Sequence, residues 1–187
     1  MSAPKPSKEF RTRLIDLEEA TWRALQQSGS AMIPFITKDC IMQFPMGMKL
    51  TATSDPSVSD VLHSSAFVPW KSFELMDIDV TPVGPVGEET GGVVSYRVEA
   101  IRRAADAGGA DAPGGRGERG REVEFVGTPK GIPYLSFWLI LPLVTQDALC
   151  CSVWRWDGEK FALAFHQQYG IPLHLSTLLR WGTLTDL

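Results

Sequence analysis

Leu14, Leu17, Glu18, Thr21, Trp22 and Leu25 recur at helical spacing, with Arg11, Arg13, Asp16, Glu19 and Arg23 around the other side. This period predicts an amphipathic helix of several turns after a frayed start over residues 1–8. Ser28-Gly29-Ser30 ends it, and Ser30 is placed to cap a second short helix that turns Met32, Ile33, Phe35 and Ile36 inward. From Cys40 to Phe44 the pattern becomes β-rich, breaks at Pro45-Met46-Gly47 and resumes from Met48 to Thr53, as a tight hairpin would. Ser54-Asp55-Pro56 reads as a cap followed by an early helical proline, opening a short helix through Val58, Val61 and Leu62.

Long strands follow. Over Phe73 to Val83, alternation puts Met76, Ile78 and Val80 on one face and Leu75, Asp77 and Asp79 on the other. Val93 to Arg103 divides Val94, Tyr96, Val98 and Ala100 from Val93, Ser95, Arg97 and Glu99. Residues 104–121 are rich in Gly, Ala, Asp and Arg without periodicity, which predicts a flexible loop. Leu149 to Trp156 and Lys160 to Gln168 are β-rich segments joined by Asp157-Gly158, a pair that favours tight hairpin turns. The tail through Leu175, Leu178 and Leu179 carries at most a turn or two of helix.

A length of 187 residues suits one domain able to bury a core without staples. With 44% apolar and 21% charged residues, the composition is that of a globular chain. The net charge is -4, and no basic cluster interleaves with aromatics, which argues against a nucleic-acid partner. The first residues hold Pro, Ser and Lys with no apolar run, and the longest apolar run, 132–144, contains two prolines and is too short to span a bilayer. The expectation is a cytoplasmic protein with no membrane partner. Three cysteines, two of them adjacent, read as reduced, packed residues. Three scattered histidines and the absence of zinc-type spacing predict neither metal nor cofactor.

Helices first, then a hairpin, a small helix and long antiparallel strands give the order of an α+β cone, a curved antiparallel sheet wrapped around N-terminal helices. The residues Leu17-Glu18, Trp22, Leu25, Ser28-Gly29, Pro34-Phe35-Ile36, Asp39-Cys40-Ile41-Met42, Phe44-Pro45 and Gly47 resemble SnoaL-like domains of the nuclear transport factor 2-like superfamily. So do Ser152-Val153-Trp154-Arg155, Asp157-Gly158 and Phe161 to Gln168. The resemblance implies a pocket and no particular reaction, because the superfamily holds isomerases, dehydratases, cyclases and members that only bind or dimerise. The chain departs from the pattern in an atypical tail, 169–187, where Tyr169-Gly170 replaces an expected Thr-Pro. It departs again in an insertion, 126–146, whose removal joins Phe125 to Asp147 in one strand. That insertion is either an apolar lid or, since valine codons begin with GT and a glutamine codon can end in AG, a retained intron.

His166 is the leading candidate for proton transfer, sharing a strand face with Gln168, Ala164 and Ala162, although a structural, hydrogen-bonded histidine is the alternative. The opposite set, Phe161, Leu163 and Phe165, looks equally like core, so parity leaves the cavity side open. Tyr96 is a candidate donor to a ligand oxygen, or a packing residue. Asp39 is a candidate carboxylate base, or a solvated turn residue. Trp22, Phe44, Trp70, Trp154 and Gln168 are the candidate ligand-binding residues. Three functions follow as expectations: a pocket protein for an apolar small molecule, an isomerase, dehydratase or cyclase working by proton transfer on an apolar carbonyl compound, or a homodimerising scaffold without catalysis.

Overall fold

The computed structural model describes residues 5–85, 87–102 and 145–170. The expected flexible loop, the insertion up to residue 144 and the tail from residue 171 lie outside the described residues; Thr145 and Gln146 already belong to a strand. The described residues run α1 (Lys8–Gln27), a 3-10 helix (Ser30–Phe35), β1 (Ile36–Gln43), a second 3-10 turn (Pro45–Gly47), β2 (Lys49–Leu50), α2 (Val58–His63), β3 (Trp70–Pro82), β4 (Gly91–Arg102), β5 (Thr145–Trp156) and β6 (Phe161–Gly170).

Helix α1 starts earlier than its apolar stripe. Ser7 caps it, accepting from the Phe10 amide at 3.1 Å, and is itself tied to the Glu89 carboxylate by two hydrogen bonds of 2.7 and 2.8 Å. The stripe Phe10, Leu14, Glu18, Thr21 and Trp22 is buried against the sheet. Contact is close at Gly92 of β4, where an added Cβ would meet Leu14 Cδ1 at 2.5 Å and the Phe10 ring at 3.1 Å. In α2 the cap is Ser57, whose hydroxyl and the Asp60 carboxylate form a reciprocal capping box. This corrects the expected cap at Ser54 and early helical proline at Pro56: both lie before the helix, which starts at Val58.

The six strands form one open sheet in the order β2-β1-β6-β5-β4-β3. It is mixed where an antiparallel sheet was expected: β1 pairs β6 in parallel, while all other pairs are antiparallel. Two irregularities change which side chains face the helices. In β3 the register shifts between Met76 and Asp79, with Asp77 at φ 53°. Leu75 therefore joins Phe73 and Ile78 against the core, and Met76 does not, reversing the expected faces before the bulge. In β6 Leu163 pairs with Trp154 and Phe165 with Val153, so Ala164 is an extra residue. Leu163 and His166, three apart, consequently occupy the same inner face, opposite Trp154 and Ser152. Among the described residues no helix is long and apolar enough to cross a membrane.

Candidate functional site

A cavity of about 100 Å³ lies between the inner face of the sheet, α1 and α2. Trp22 and Leu25 of α1, Met42 and Leu50 of the first hairpin, Val58, Val61 and Leu62 of α2, and Phe44, Phe67 and Trp70 give it an apolar wall. Trp22 stacks at a tilt on Trp70 and Phe73, with ring centres 5.6 and 5.7 Å away. Polar groups enter at few places: Glu18 and Thr21 from α1, His166 and Gln168 from β6, and Arg102 from the end of β4. The Arg102 guanidinium lies 4.3 Å from the Trp70 ring and donates to the Val68 carbonyl at 3.3 Å. Burial lowers its pKa to about 10.

Glu18 is the centre of the polar cluster. It is 1% exposed, yet its carboxylate accepts from Tyr96 Oη at 2.7 Å and Ser152 Oγ at 2.9 Å, both on Oε1, and from Trp154 Nε1 at 2.7 Å on Oε2. Burial raises its pKa, and the three donors oppose that shift by favouring the ionised form. Tyr96 bridges the indole of Trp22 and the carboxylate of Glu18. Trp22 Nε1 donates to its oxygen at 2.9 Å, so its own proton goes to Glu18. Burial, and then the charge of Glu18, hold that phenol well above its ordinary pKa, which keeps the donor in place.

Ser152 Oγ lies between Glu18 Oε1 and His166 Nδ1, 3.0 Å from the latter. A hydroxyl has one proton to give. With that proton on Glu18, the bond to His166 requires Nδ1–H as donor, and Nε2 is left as a bare acceptor at the cavity. Among the described residues Nε2 has no protein partner. Burial lowers the His166 pKa to about 4, so the ring is neutral at physiological pH. Next along the same face, Gln168 is 7% exposed and its Nε2 is buried with no hydrogen-bond partner among the described residues. The cavity is thus lined, side by side on one strand, by a histidine whose Nε2 is left over from the Ser152 bond and a glutamine whose amide Nε2 has no hydrogen-bond partner among the described residues.

Of the residues singled out in the sequence, His166, Trp22, Phe44, Trp70 and Gln168 line this one cavity. Tyr96 and Trp154 lie one layer behind it, 3% and 0% exposed, where they hold Glu18 and face no ligand space. Asp39 is on the outer surface: its side chain is 65% exposed and paired with Arg155 at 2.6 Å. That pair holds the Asp39 carboxyl below the usual range, which suits a solvated anion and removes it from the cavity. Glu18 is the residue that sequence reasoning passed over. Its signal was present, a carboxylate inside an apolar stripe, between Leu14 and Trp22. Among the described residues no group of three or more His, Cys, Asp or Glu is arranged to hold a metal ion.

No family model matches the chain, and a search of curated proteins finds no match. Solved structures do match. A nuclear transport factor 2-like protein from Cytophaga hutchinsonii superposes with a TM-score of 0.54 at 13% identity, covering 86% of this chain and 98% of its own. A proposed dehydratase of the same family from Streptomyces avermitilis gives 0.54 at 13% identity, covering 85% and 94%. A proposed calcium/calmodulin-dependent protein kinase II association domain from Xanthomonas campestris gives 0.58 at 7% identity, covering 92% and 94%. At identities this low the superpositions show a shared fold alone.

Proposed function

We propose that this chain, which has the nuclear transport factor 2-like fold, is a small-molecule pocket protein that binds an apolar metabolite and moves a proton on it at His166. The observation that carries this reading is the hydrogen-bonded series Glu18, Ser152, His166, which ends on a bare Nε2 at a cavity with a mostly apolar wall. A buried carboxylate is costly unless it is held by donors, and here three are supplied to keep it ionised. A neutral imidazole backed by that charge is a base. Gln168 Nε2, two residues on, is a donor for a carbonyl oxygen and for the enolate oxygen that forms as the adjacent carbon loses its proton. Together they fit an apolar carbonyl compound that undergoes isomerisation, dehydration or cyclisation. The likeness to a proposed dehydratase supports the same reaction class without selecting one member of it.

The rest of the wall favours a flat or branched apolar body. Trp22, Phe67 and Trp70 supply aromatic faces, while Met42 and Met48 can adapt to shape. Arg102 adds a cation for an acidic or strongly polar substituent, should the metabolite carry one.

Proton exchange tests the reading directly. The purified protein is incubated in deuterated buffer with a panel of apolar ketones and aldehydes, and deuterium incorporation next to the carbonyl is followed by NMR. The expected result is exchange accelerated over buffer for at least one carbonyl class and slowed by about 10²- to 10⁴-fold in His166→Gln. Binding of the same probes without accelerated exchange would remove catalysis and leave the pocket as a carrier.

A further inference from the structure

We propose that Ser152 is a proton switch, through which a proton taken from a ligand at His166 Nε2 is matched by a proton passed to Glu18. The pocket then holds the gain as a neutral carboxylic acid and never as an imidazolium. This deepens the proton-transfer reading above and rests on it for its use, though not for its test.

The three groups are contiguous, with Ser152 Oγ at 2.9 Å from Glu18 Oε1 and 3.0 Å from His166 Nδ1. All three residues are buried, Ser152 completely. In the resting state the Ser152 proton lies on the bond to Glu18, the Nδ1 proton lies on the bond to Ser152, and Nε2 carries its lone pair. When a ligand C–H bond breaks, its electron pair stays on the ligand as an enolate and the proton forms a bond to Nε2. The Nδ1 proton moves to Ser152 Oγ, and the original hydroxyl proton moves to Glu18 Oε1. The products are neutral Glu18, a serine hydroxyl that donates to Nδ1, and a neutral imidazole with its proton on Nε2. One negative charge has passed from Glu18 to the ligand, no heavy atom needs to move, and reversal returns a proton from Nε2 to a different ligand atom.

Among the described residues the surroundings leave this route without a competitor. Tyr96 cannot relay, because the other group on its oxygen is the Trp22 indole N–H, which does not give up its proton. Trp154 is a donor only. An imidazolium would be a second charge in a buried site, and burial already holds His166 to about pKa 4, whereas burial makes Glu18 easier to protonate than an ordinary glutamate. The titratable groups that face the cluster from other elements stay fixed over the same range. Tyr96 of β4 and Cys150 of β5 are pushed up by burial, Cys40 of β1 is pushed up to about 12, and Arg102 remains a cation.

The full-length protein, labelled with 15N in its histidine rings, reports the tautomer without any ligand, and His166→Gln assigns the signals. At neutral pH, His166 is expected to show a pyrrole-type Nδ1 and a pyridine-type Nε2. On acidification the two types should exchange between the nitrogens, above the pH at which both become protonated. Ser152→Ala should abolish that exchange while leaving the circular dichroism spectrum unchanged. Three outcomes would overturn the switch: Nε2 already protonated at neutral pH, direct passage to the imidazolium, or a single tautomer held down to acid unfolding. So would Ser152→Ala with an undiminished exchange at the same midpoint. If that variant does not fold, the wild-type titration decides alone. Tautomer exchange in a protein that accelerates no carbonyl probe would sink the catalytic proposal and leave the switch intact.

Discussion

Trp154 Nε1 donates to Glu18 Oε2 at 2.7 Å across 136 positions of sequence, joining the middle of α1 to the inner face of β5. The bond holds one of the two oxygens of a carboxylate that is 1% exposed, and the indole itself is fully buried. Trp154→Phe keeps an aromatic ring but removes the donor, so Oε2 loses its protein partner and a small void opens. The expected cost is about 2–4 kcal/mol, combining a hydrogen bond to a charged group with lost packing. Urea unfolding checks it, and a midpoint equal to that of the wild type would mean that Glu18 is not held as a carboxylate.

The pH dependence of stability follows from two groups that pull in opposite directions. His166 has a folded-state pKa of about 4, below its ordinary 6.5. Its contribution is therefore complete above pH 6.5 and is lost as the pH falls from 6.5 toward 4. Glu18 has a raised pKa, so its contribution is complete below its ordinary 4.5 and is lost as the pH rises through the folded value. His166→Gln removes the first effect and leaves the second. The stability advantage of the wild type over this variant should shrink by about 3 kcal/mol between neutral pH and pH 4. A difference independent of pH would show that the ring is not buried in its neutral form.

Much of the fold was legible because its pattern is local. The stripe of α1 and the alternation of β4 each run without interruption with one face buried, and Asp157-Gly158 marks the turn between β5 and β6. Faces failed where a strand carries one residue too many. At Asp77 and at Ala164 the parity changes in mid-strand, so Leu75 turns inward, and Leu163 and His166 share a side that strict alternation keeps apart. The parallel pairing of β1 with β6 was also out of reach, since nothing in either segment specifies the direction of a neighbour more than a hundred residues away. The site divides along the same line. Its apolar and β6 residues could be picked by type, whereas the role of Glu18 depends on partners 78, 134 and 136 positions distant.

Asp77 itself gives a backbone prediction. At φ 53° it occupies the left-handed region, which aspartate tolerates and β-branched residues resist. Its side chain is exposed, so a substitution there reports the backbone with little packing change. Asp77→Ile should cost about 1–2 kcal/mol, while Asp77→Gly should be neutral or slightly stabilising. Thermal unfolding of the pair checks this, and equal melting temperatures would argue against the bulge.

Thiol reactivity separates the three cysteines. Cys40 and Cys150 are 2% and 4% exposed, and burial raises the pKa of both, Cys40 to about 12. Cys151 points to the other face and is only partly covered. Iodoacetamide applied to the native protein should label Cys151 first and slowly, with all three modified after unfolding. Peptide mass spectrometry reads the order, and early loss of the Cys150 thiol would mean that the inner face of β5 opens readily.

Gln168 poses a conflict between stability and function. Its Nε2 is buried and has no partner among the described residues, an arrangement that costs about 1–3 kcal/mol unless something occupies the cavity and accepts its proton. Gln168→Met has nearly the same volume and no orphan donor, so it should raise the urea midpoint of the free protein by an amount equivalent to about 1 kcal/mol. The same change should weaken binding of carbonyl probes and slow their exchange, because the developing oxygen charge would lose its donor. A purely structural glutamine predicts the opposite on the first count, a loss of stability on substitution. If Gln168→Met is destabilised and exchange is unaffected, the amide belongs to the core, and recognition of the ligand oxygen passes to another group in the cavity wall.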